Sequence, residues 1–370
     1  MSHMYHLPNQ NKIQNISAWQ TDIFSDYGGS DRKTGLLSPN GDRYLIKYAE
    51  KHTRKNDLET SYVNNILNEH LSSRILNIIG YPVHETFLAT YQDELVVCCK
   101  NFTSENEKLI EFGRFLRKHY DSGELGRVPD LQQIHDVLVK DEMLAPYQET
   151  FWESYWQRFI GDALTGNFDR HMGNFGYLVS QEDIRTSPIY DNGSTLFPAL
   201  SESKMQEILS DDKEMMKRTK LFPKAALTVN GPKVSYYDIM ASNYVPELSQ
   251  AITDIVPIIQ RKMPEIHTFI HDQTYLSDIR KEFLDKILNI RMEHLLLPAY
   301  KRCVEQNYDK TAYQRIAQGI SYNEKLFEQD YHEYLAEKQT RTTNRFDELD
   351  TKYQELAQQH DTQPTKNYEY

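Results

Sequence analysis

The sequence predicts an α+β fold of two lobes, in which a small β-rich N-terminal lobe precedes a large, mainly helical C-terminal lobe. Short apolar runs separated by turn residues dominate the first hundred residues. From about residue 104, apolar residues instead recur every three or four positions, which is the helical period. With 39% hydrophobic and 26% charged residues, the 370-residue chain can bury a core of its own.

The N-terminal lobe is predicted over residues 26–103. Residues 26–48 should form a loop and two strands, and the turn between the strands, Pro-Asn-Gly-Asp at 39–42, places Asn-Gly between apolar segments, which is typical of a β-hairpin. Apolar residues at helical spacing over 63–78 predict a helix that ends at Gly80. The lobe closes with two predicted strands, 83–90 and 94–100.

The C-terminal lobe is predicted over residues 104–305. Its first part should contain three helices, 105–120, 131–140 and 148–165. A break rich in Gly and Asn runs from Gly166 to Gly176, with short strands expected at 175–179 and 187–190. Helices then continue, with interruptions expected at Pro223, Asn230-Gly231-Pro232, Pro246 and Pro264.

Two flanking segments complete the predicted organisation. Residues 1–25 are expected to be an N-terminal extension, of which the first four, Met-Ser-His-Met, resemble a cloning remnant. Residues 306–370 are expected to be a helical C-terminal extension that frays from Gln358. Within the extension one apolar seam predicts a docked helix, marked by Phe346, Leu349, Tyr353 and Leu356.

Composition excludes several classes of protein. Fifty-four acidic residues against 42 Lys and Arg give a net charge of −12, which disfavours nucleic acid as the chief partner. The three cysteines, two of them adjacent, do not form a disulfide framework and fit a reducing compartment. No apolar run reaches the length of a membrane span, and no signal-peptide core is present. We therefore expect a cytoplasmic protein without membrane contact, which leaves delivery into another cell open.

The stretch 166–175 carries the strongest chemical signal. Asp169 and Asn174 are five residues apart, and Asp191 follows at the end of a short apolar segment. Phosphoryl transfer requires a carboxylate near the acceptor hydroxyl and oxygen ligands for Mg²⁺, and this order and spacing match the H-R-D-x-x-x-x-N and D-F-G elements of kinases. Each residue alone is typical of an ordinary turn, but the three together predict a phosphotransferase site.

The N-terminal lobe supplies matching candidates. Lys47 ends a predicted strand, as the phosphate-pairing Lys of kinases does, and Glu69 lies 22 residues later in the next helix, where its ion-pair partner belongs. Either residue alone is more often a solvated surface group. The loop 28–35 can surround phosphates with backbone N–H groups, but it matches neither Gly-rich consensus and is equally typical of a flexible turn.

Together these residues resemble the HipA-like Ser/Thr protein kinases, the toxin kinases of bacterial toxin–antitoxin systems, and above all their short, CtkA-like relatives. The resemblance runs from about Gly28 to about Met240. It rests on the segments 29–37, 68–69, 167–175 and 188–191 together with Lys47.

The resemblance implies a protein-kinase-like fold and a set of site residues. Asp169 would be the catalytic base, Asn174 and Asp191 the Mg²⁺ ligands, and Lys47 the contact to the ATP phosphates. The remaining nucleotide contacts would come from the phosphate loop, the ion-pair helix and the adenine hinge: Gly28, Gly29, Ser30, Lys33, Glu69, Cys99, Lys100 and Phe102. His171, two residues after the base, is expected to brace the catalytic loop through a backbone carbonyl rather than to transfer a proton.

Two further expectations follow from the resemblance. Ser30 is a candidate for inhibitory autophosphorylation, since a phosphate in the loop repels the ATP phosphates, although a Ser that satisfies a turn explains it nearly as well. Only 27 residues precede Gly28, so the N-terminal subdomain of full-length HipA should be missing, and an antitoxin partner that depends on it cannot be assumed.

The leading functional prediction is a Mg-ATP-dependent Ser/Thr protein kinase with an unidentified protein substrate. Two alternatives remain open at this stage. One is a small-molecule or lipid kinase, because D-R-H-x-x-N is also similar to phosphoinositide kinases. The other is an inactive kinase-fold binding protein, against which the completeness of the site argues.

Overall fold

The computed structural model describes residues 13–22, 32–49, 63–126 and 128–340. The chain divides into a large unit up to Tyr322 and a short unit from Asn323 onward. The described part of the short unit is a helix over 324–340. The predicted seam at 346–356 lies outside the described residues.

A curled antiparallel sheet dominates the N-terminal part of the large unit. Its strands lie in the order β1-β5-β6-β4-β3-β2, with β1 parallel to β5. The strands are β1 (Gln14–Asn15), β2 (Gln20–Thr21), β3 (Lys33–Leu37), β4 (Arg43–Tyr48), β5 (Thr86–Tyr91) and β6 (Glu94–Lys100). One face packs on helix α1 (Val63–Ile79), and the other buries a separate aromatic and aliphatic cluster around Leu36, Tyr44 and Phe87.

The predicted hairpin and helix are both present. Leu37 pairs with Arg43, and Gly41 makes the turn between β3 and β4 with φ +84°, a left-handed conformation that suits glycine. Helix α1 ends at Gly80, whose φ is +110° and whose N–H donates to Leu76 O. The sequence therefore predicts the hairpin and the helix closely, because local turn chemistry sets where each of them ends.

The C-terminal part of the large unit is mainly helical around one continuous core. A small sheet of β7 (Lys108–Glu111), β8 (Gly176–Val179) and β9 (Ile184–Thr186) lies beside the helices. The helices are α2 (Phe112–His119), α3 (Leu131–Lys140), α4 (Gln148–Thr165), α5 (Glu202–Leu209), α6 (Asp212–Lys220), α7 (Tyr236–Ser242), α8 (Pro246–Asp272), α9 (Asp278–Arg291), α10 (Leu297–Glu305) and α11 (Lys310–Ala317). None of the helices in the described ranges is long and apolar enough to cross a bilayer.

Two predicted elements differ from the structure. The predicted helix 105–120 begins with strand β7, because Lys108–Glu111 pairs with β8, a long-range contact that periodicity does not reveal. The second short strand lies at Ile184–Thr186 rather than 187–190, because the tight turn after Val179 sets its register. Within the predicted strand 187–190, Ile189 forms an isolated β-bridge with Val83.

One of the expected interruptions is confirmed and one is wrong. The helices break after Ser242, and Pro246 is the first residue of α8, where its missing N–H costs nothing. Pro264 lies inside α8, and the helix continues through it. A proline inside a helix costs about 3 kcal/mol, but buried apolar residues from Leu248 to Ile270 hold α8 against the core on both sides of Pro264.

Helix α1 contains a buried histidine that gives a first prediction. His70 Nδ1 lies 3.0 Å from Thr86 Oγ1, and burial, with the nearby Arg74 and His84, lowers the His70 pKa to about 3. In the unfolded chain its pKa is about 6.5, so the stabilisation is present above pH 6.5 and is lost as the pH falls toward 3.

We expect the free energy of unfolding to fall by about 2 kcal/mol more in the wild type than in His70→Gln between pH 7 and pH 5. Urea denaturation at the two pH values measures the difference. His135→Gln, at an exposed histidine, should keep the wild-type pH dependence. Equal slopes for wild type and His70→Gln would contradict the assignment.

Candidate active site

Lys47 joins the sheet to the rest of the candidate site. Its Nζ donates to Glu69 Oε2 at 2.8 Å and to Asp191 Oδ1 at 2.7 Å. Strand β4 presents Lys47 toward α1, whose buried face carries Glu69. The structure thus brings together three of the predicted residues, which lie 22 and 144 positions apart in the chain.

Local electrostatics keep both members of the Lys47–Glu69 pair ionised. Burial alone lowers the pKa of the Lys47 ammonium, but the carboxylates of Asp191 and Glu69 outweigh it and hold this pKa well above its usual range. Burial alone raises the pKa of the Glu69 carboxyl, but Lys47, His84 and the Asn192 N–H bring it well below its usual range. A permanent positive charge is therefore fixed beside Asp191.

Glu69 has a second set of partners on its other oxygen. Oε1 accepts from the Asn192 N–H at 2.8 Å and lies 3.0 Å from His84 Nε2. Ser73 Oγ contacts the same His84 nitrogen and accepts from Asn192 Nδ2. Glu69 thereby fixes both the lysine and the segment that follows Asp191.

A second lysine lies on the same face of the sheet. Lys33 of β3 is directly opposite Lys47 of β4 in the antiparallel ladder. Opposite residues of such a ladder have side chains on one face, about 5 Å apart, so the pair concentrates positive charge. The other predicted phosphate-loop residues, Gly28, Gly29 and Ser30, lie outside the described residues.

The loop around Asp169 is held by hydrogen bonds to the Asp169 backbone. Asp169 N–H donates to Asn167 Oδ1 at 3.0 Å, and Asp169 O accepts from Asn174 Nδ2 at 2.8 Å and from His171 N–H at 2.7 Å. The half-buried Asp169 carboxylate has no hydrogen-bond or ion-pair partner in the described part of the chain. Its oxygens are therefore available to a group that enters the site.

The His171 side chain contacts the backbone of this loop, but through an N–H rather than the expected carbonyl. Its Nδ1 accepts from the Gly173 N–H at 3.0 Å. An added Cβ at Gly173 would lie 3.0 Å from the imidazole ring, so a larger residue there would require the ring to shift. The bracing role of His171 stays a prediction, with this N–H contact as its geometry.

Asp191 begins a strained turn that directs its carboxylate to Lys47. Its φ is +57°, the left-handed region that Asp and Asn adopt more readily than other non-glycine residues. The next residue, Asn192, is fully buried and its N–H is taken by Glu69. The backbone is held in this conformation by contacts on both sides, as expected of a functional turn.

Arg170 lies in the segment 167–175, and the sequence alone predicts no role for it. Its guanidinium is buried and contacts the Asp162 carboxylate of α4, with Nη2 and Nε at 2.9 and 3.0 Å. Nη1 donates to the carbonyls of Asn174, Tyr190 and Asp191, and Nη2 donates to Asn192 Oδ1. One side chain therefore fixes α4, the catalytic loop and the Asp191 turn together. The only sequence signal for this role is the position of Arg170 directly after Asp169.

The predicted adenine hinge lies at the end of β6. Cys99 is buried, and burial raises the pKa of its thiol well above the usual range. Lys100 is already engaged, its N–H by Glu85 O at 2.8 Å and its Nζ by Asp42 at 3.1 Å. Phe102 lies beside the site, with its ring 5.6 Å from that of Tyr190. Adenine contacts by these residues stay a prediction.

The donor set near Asp191 fits a hard divalent cation. The Asn174 side chain donates an N–H from Nδ2 to Asp169 O, so Asn174 Oδ1 is the atom that can bind a cation. The Asp191 carboxylate is 40% exposed and shares only its Oδ1 with Lys47. Amide and carboxylate oxygens are the ligands that Mg²⁺ prefers, and Arg170 Nη1 contacts the backbone of both residues.

A family model and a curated relative each match more than half of this chain. The family model of the HipA-like C-terminal domain matches residues 25–255. A curated relative, the serine/threonine-protein kinase CtkA of Helicobacter pylori, is 30% identical over 282 residues, which cover 75% of this chain and 85% of the relative.

The solved structures include a kinase of similar fold. The crystal structure of the Helicobacter pylori proinflammatory kinase CtkA matches with a TM-score of 0.74 and 28% identity, covering 80% of this chain and 100% of that one. HipA of Shewanella oneidensis MR-1, solved with HipB and operator DNA, matches with a TM-score of 0.47 and 13% identity over 82% of this chain and 70% of that one. From the family match and the CtkA similarity, the chain belongs to the HipA-like C-terminal domain family and is a protein kinase.

Proposed function

We propose that this protein kinase transfers the γ-phosphate of Mg-ATP to serine or threonine hydroxyls of a protein, with Asp169 as the base. The observation that carries the proposal is the placement of Lys47 between Glu69 and Asp191. The Lys47 ammonium is a fixed positive charge that can bind phosphates, and it lies next to the Asp191 carboxylate, which can bind a metal ion. Asp169 and Asn174 lie on the loop that Arg170 ties to the same turn.

The chain's own groups would divide the work as follows. Lys47 and Lys33 hold the phosphates, Asn174 and Asp191 hold Mg²⁺, and Asp169 orients the acceptor hydroxyl. As the acceptor oxygen bonds to the γ-phosphorus, its proton passes to Asp169 and ADP leaves with the bridging oxygen. Bound Mg²⁺ would neutralise charge on the phosphate oxygens.

A protein acceptor is supported by the similarity to CtkA, whose name states that it acts as a serine/threonine-protein kinase. An antitoxin partner stays a prediction of the family resemblance.

Phosphate transfer from γ-³²P-ATP to a mixed protein acceptor, followed by phosphoamino-acid analysis, tests the proposal. We expect label on serine or threonine in the presence of Mg²⁺ and loss of labelling on addition of EDTA, with recovery on excess Mg²⁺. Label confined to small molecules or lipids would favour the other kinase class. Absence of both labelling and ATP binding would indicate an inactive binding protein.

Autophosphorylation at Ser30 belongs to the same proposal. The intact mass after incubation with Mg-ATP should rise by one phosphate, and Ser30→Ala should abolish the increase. Ser30→Glu should lower activity, because negative charge in the phosphate loop repels ATP. Phosphate found only elsewhere, or full activity of Ser30→Glu, would remove Ser30 from the proposal.

A further inference from the structure

An exposed aromatic side chain lies directly before the proposed base. Phe168 is 40% exposed, and it is the only exposed phenylalanine in the ranges that the structure describes. On one side of it Asn167 is fully buried, and on the other Asp169 is half-buried. The loop therefore presents an apolar ring beside the residue that is proposed to receive the acceptor proton.

The backbone that carries the Phe168 ring is fixed on both sides. Phe168 N–H donates to Ser194 O at 3.4 Å, and Asn167 O accepts from the Tyr236 hydroxyl at 2.7 Å. The Phe168 carbonyl accepts from Lys233 Nζ at 3.5 Å. A ring on an ordered backbone loses little conformational entropy when it binds a partner, so Phe168 is suited to anchor an incoming apolar side chain.

Lys233 is an exposed cation at the same place. The carbonyl that it contacts belongs to the peptide bond between Phe168 and Asp169. An isolated β-bridge to Thr228 fixes the Lys233 backbone, and Thr228 Oγ1 in turn donates to Asp130 Oδ2 at 3.1 Å. Within the part of the chain that the structure describes, no carboxylate pairs with the Lys233 ammonium. Its charge is therefore available to a carboxylate that arrives with the acceptor.

Lys233 belongs to a segment whose charge is opposite to that of the whole protein. Residues 215–237 contain five Lys or Arg and no Asp or Glu, whereas the chain has a net charge of −12. The other four cations of the segment are engaged within the protein: Lys217 and Arg218 pair with Glu214, Lys220 lies over the Tyr237 ring, and Lys224 donates to Ser321. Local positive charge beside the proposed base favours an acidic partner.

We propose that Phe168 and Lys233 select the acceptor segment of the protein substrate, the residues around its phosphorylated Ser or Thr. Phe168 contacts an apolar side chain of that segment, and Lys233 binds an Asp or Glu carboxylate. This inference rests on the proposed function, because it names the substrate class of the same site. Both side chains are exposed, so they determine specificity and leave the transfer itself to Asp169 and the metal ligands.

A positional-scanning library of short peptides tests the assignment, with one central Ser or Thr, one fixed flanking residue in each peptide, and γ-³²P-ATP with Mg²⁺ as the donor. We expect the wild type to label peptides with Asp or Glu at one flanking position about threefold more than the matching Ala peptides, the effect of one exposed ion pair. Leu or Phe at another flanking position should give a similar preference.

Charge reversal separates peptide recognition from a structural role of Lys233. Lys233→Glu should lose the preference for Asp and Glu and acquire one for Lys and Arg at the same position. Phe168→Ala should lose the apolar preference and keep the acidic one. Lys262→Glu, at a cation of α8 that is 41% exposed and pairs with Glu265, should keep both preferences. Salt at about 1 M should weaken only the acidic preference, because it screens exposed charges.

Three results would overturn the inference. Wild-type labelling without an acidic or apolar preference would leave the kinase proposal intact and remove the acceptor role of both side chains. Labelling by Lys233→Glu that falls equally for acidic, neutral and basic peptides would assign Lys233 to support of the loop instead. A wild type that labels neither peptides nor proteins would overturn the proposed function together with this inference.

Discussion

Asp169→Asn should lower kcat for phosphate transfer by about 10²- to 10⁴-fold, the usual contribution of a general base. The amide has nearly the shape of the carboxylate but cannot accept the hydroxyl proton. The KM for ATP should change little, because the proposed nucleotide contacts come from Lys47 and the metal ligands. Steady-state transfer of γ-³²P from ATP to protein measures both constants.

The variant should fold as the wild type does. The hydrogen bonds that hold Asp169 in the loop use its backbone, from its N–H to Asn167 and from Asn174 and His171 to its carbonyl. The substitution changes none of these groups, so unfolding free energy should stay within about 0.5 kcal/mol of wild type.

Asp183→Asn is a matched control, since Asp183 is exposed in the turn between β8 and β9. It should keep full activity. Equal kcat for wild type and Asp169→Asn would remove Asp169 as the base, while the Lys47 geometry and the family assignment would remain.

The parts of the site that the sequence predicts are those with fixed local spacing. Lys47 at a strand end and Glu69 in the following helix could be paired because α1 is the next described element after β4, and the structure joins the two residues at 2.8 Å. The five-residue interval from Asp169 to Asn174 likewise corresponds to one loop, closed by a hydrogen bond between the two residues.

The parts that the sequence does not predict depend on distant pairing. The sequence predicts a helix where β7 lies, because its partner strand β8 is about 65 residues away and the local sequence does not show the pairing. An added Cβ at Gly176 of β8 would approach Ile110 O to 2.2 Å, so this glycine permits the pairing, which no local pattern shows. The hydrogen bond from the Lys100 N–H to Glu85 O is likewise a β-sheet contact that no local pattern shows.

Arg170 shows the same limit within the site itself. The guanidinium lies within a buried group of polar partners from three separate segments. Burial alone lowers the pKa of Arg170, but Asp162 more than offsets it and the pKa is raised. Asp162 also accepts from Asn167 Nδ2 at 3.1 Å. The Arg170–Asp162 pair therefore contacts Asn167, whose Oδ1 accepts from the Asp169 N–H. Activity and stability should therefore depend on Arg170 in separable ways.

Arg170→Met should lower the free energy of unfolding by about 3–5 kcal/mol, because it leaves the Asp162 carboxylate buried without its cation. Urea denaturation at pH 7 measures the loss. Arg185→Met is the matched control: Arg185 forms an ion pair with Glu107 at 2.7 Å but is half exposed. An exposed pair contributes about 1 kcal/mol or less. Equal losses for the two variants would show that the Arg170 pair is not buried as described.

The double variant Arg170→Met, Asp162→Leu separates folding from function. Replacing both members of a buried ion pair by apolar side chains removes the unpaired charge, so much of the lost stability should return. Phosphate transfer should not return, because the carbonyls of Tyr190 and Asp191 still lack the donor that holds the turn beside Lys47. Arg170→Lys should also stay impaired, since a single ammonium cannot reproduce the planar fork that contacts both carboxylate and carbonyls. Recovery of activity along with stability in the double variant would reduce Arg170 to a stabilising residue.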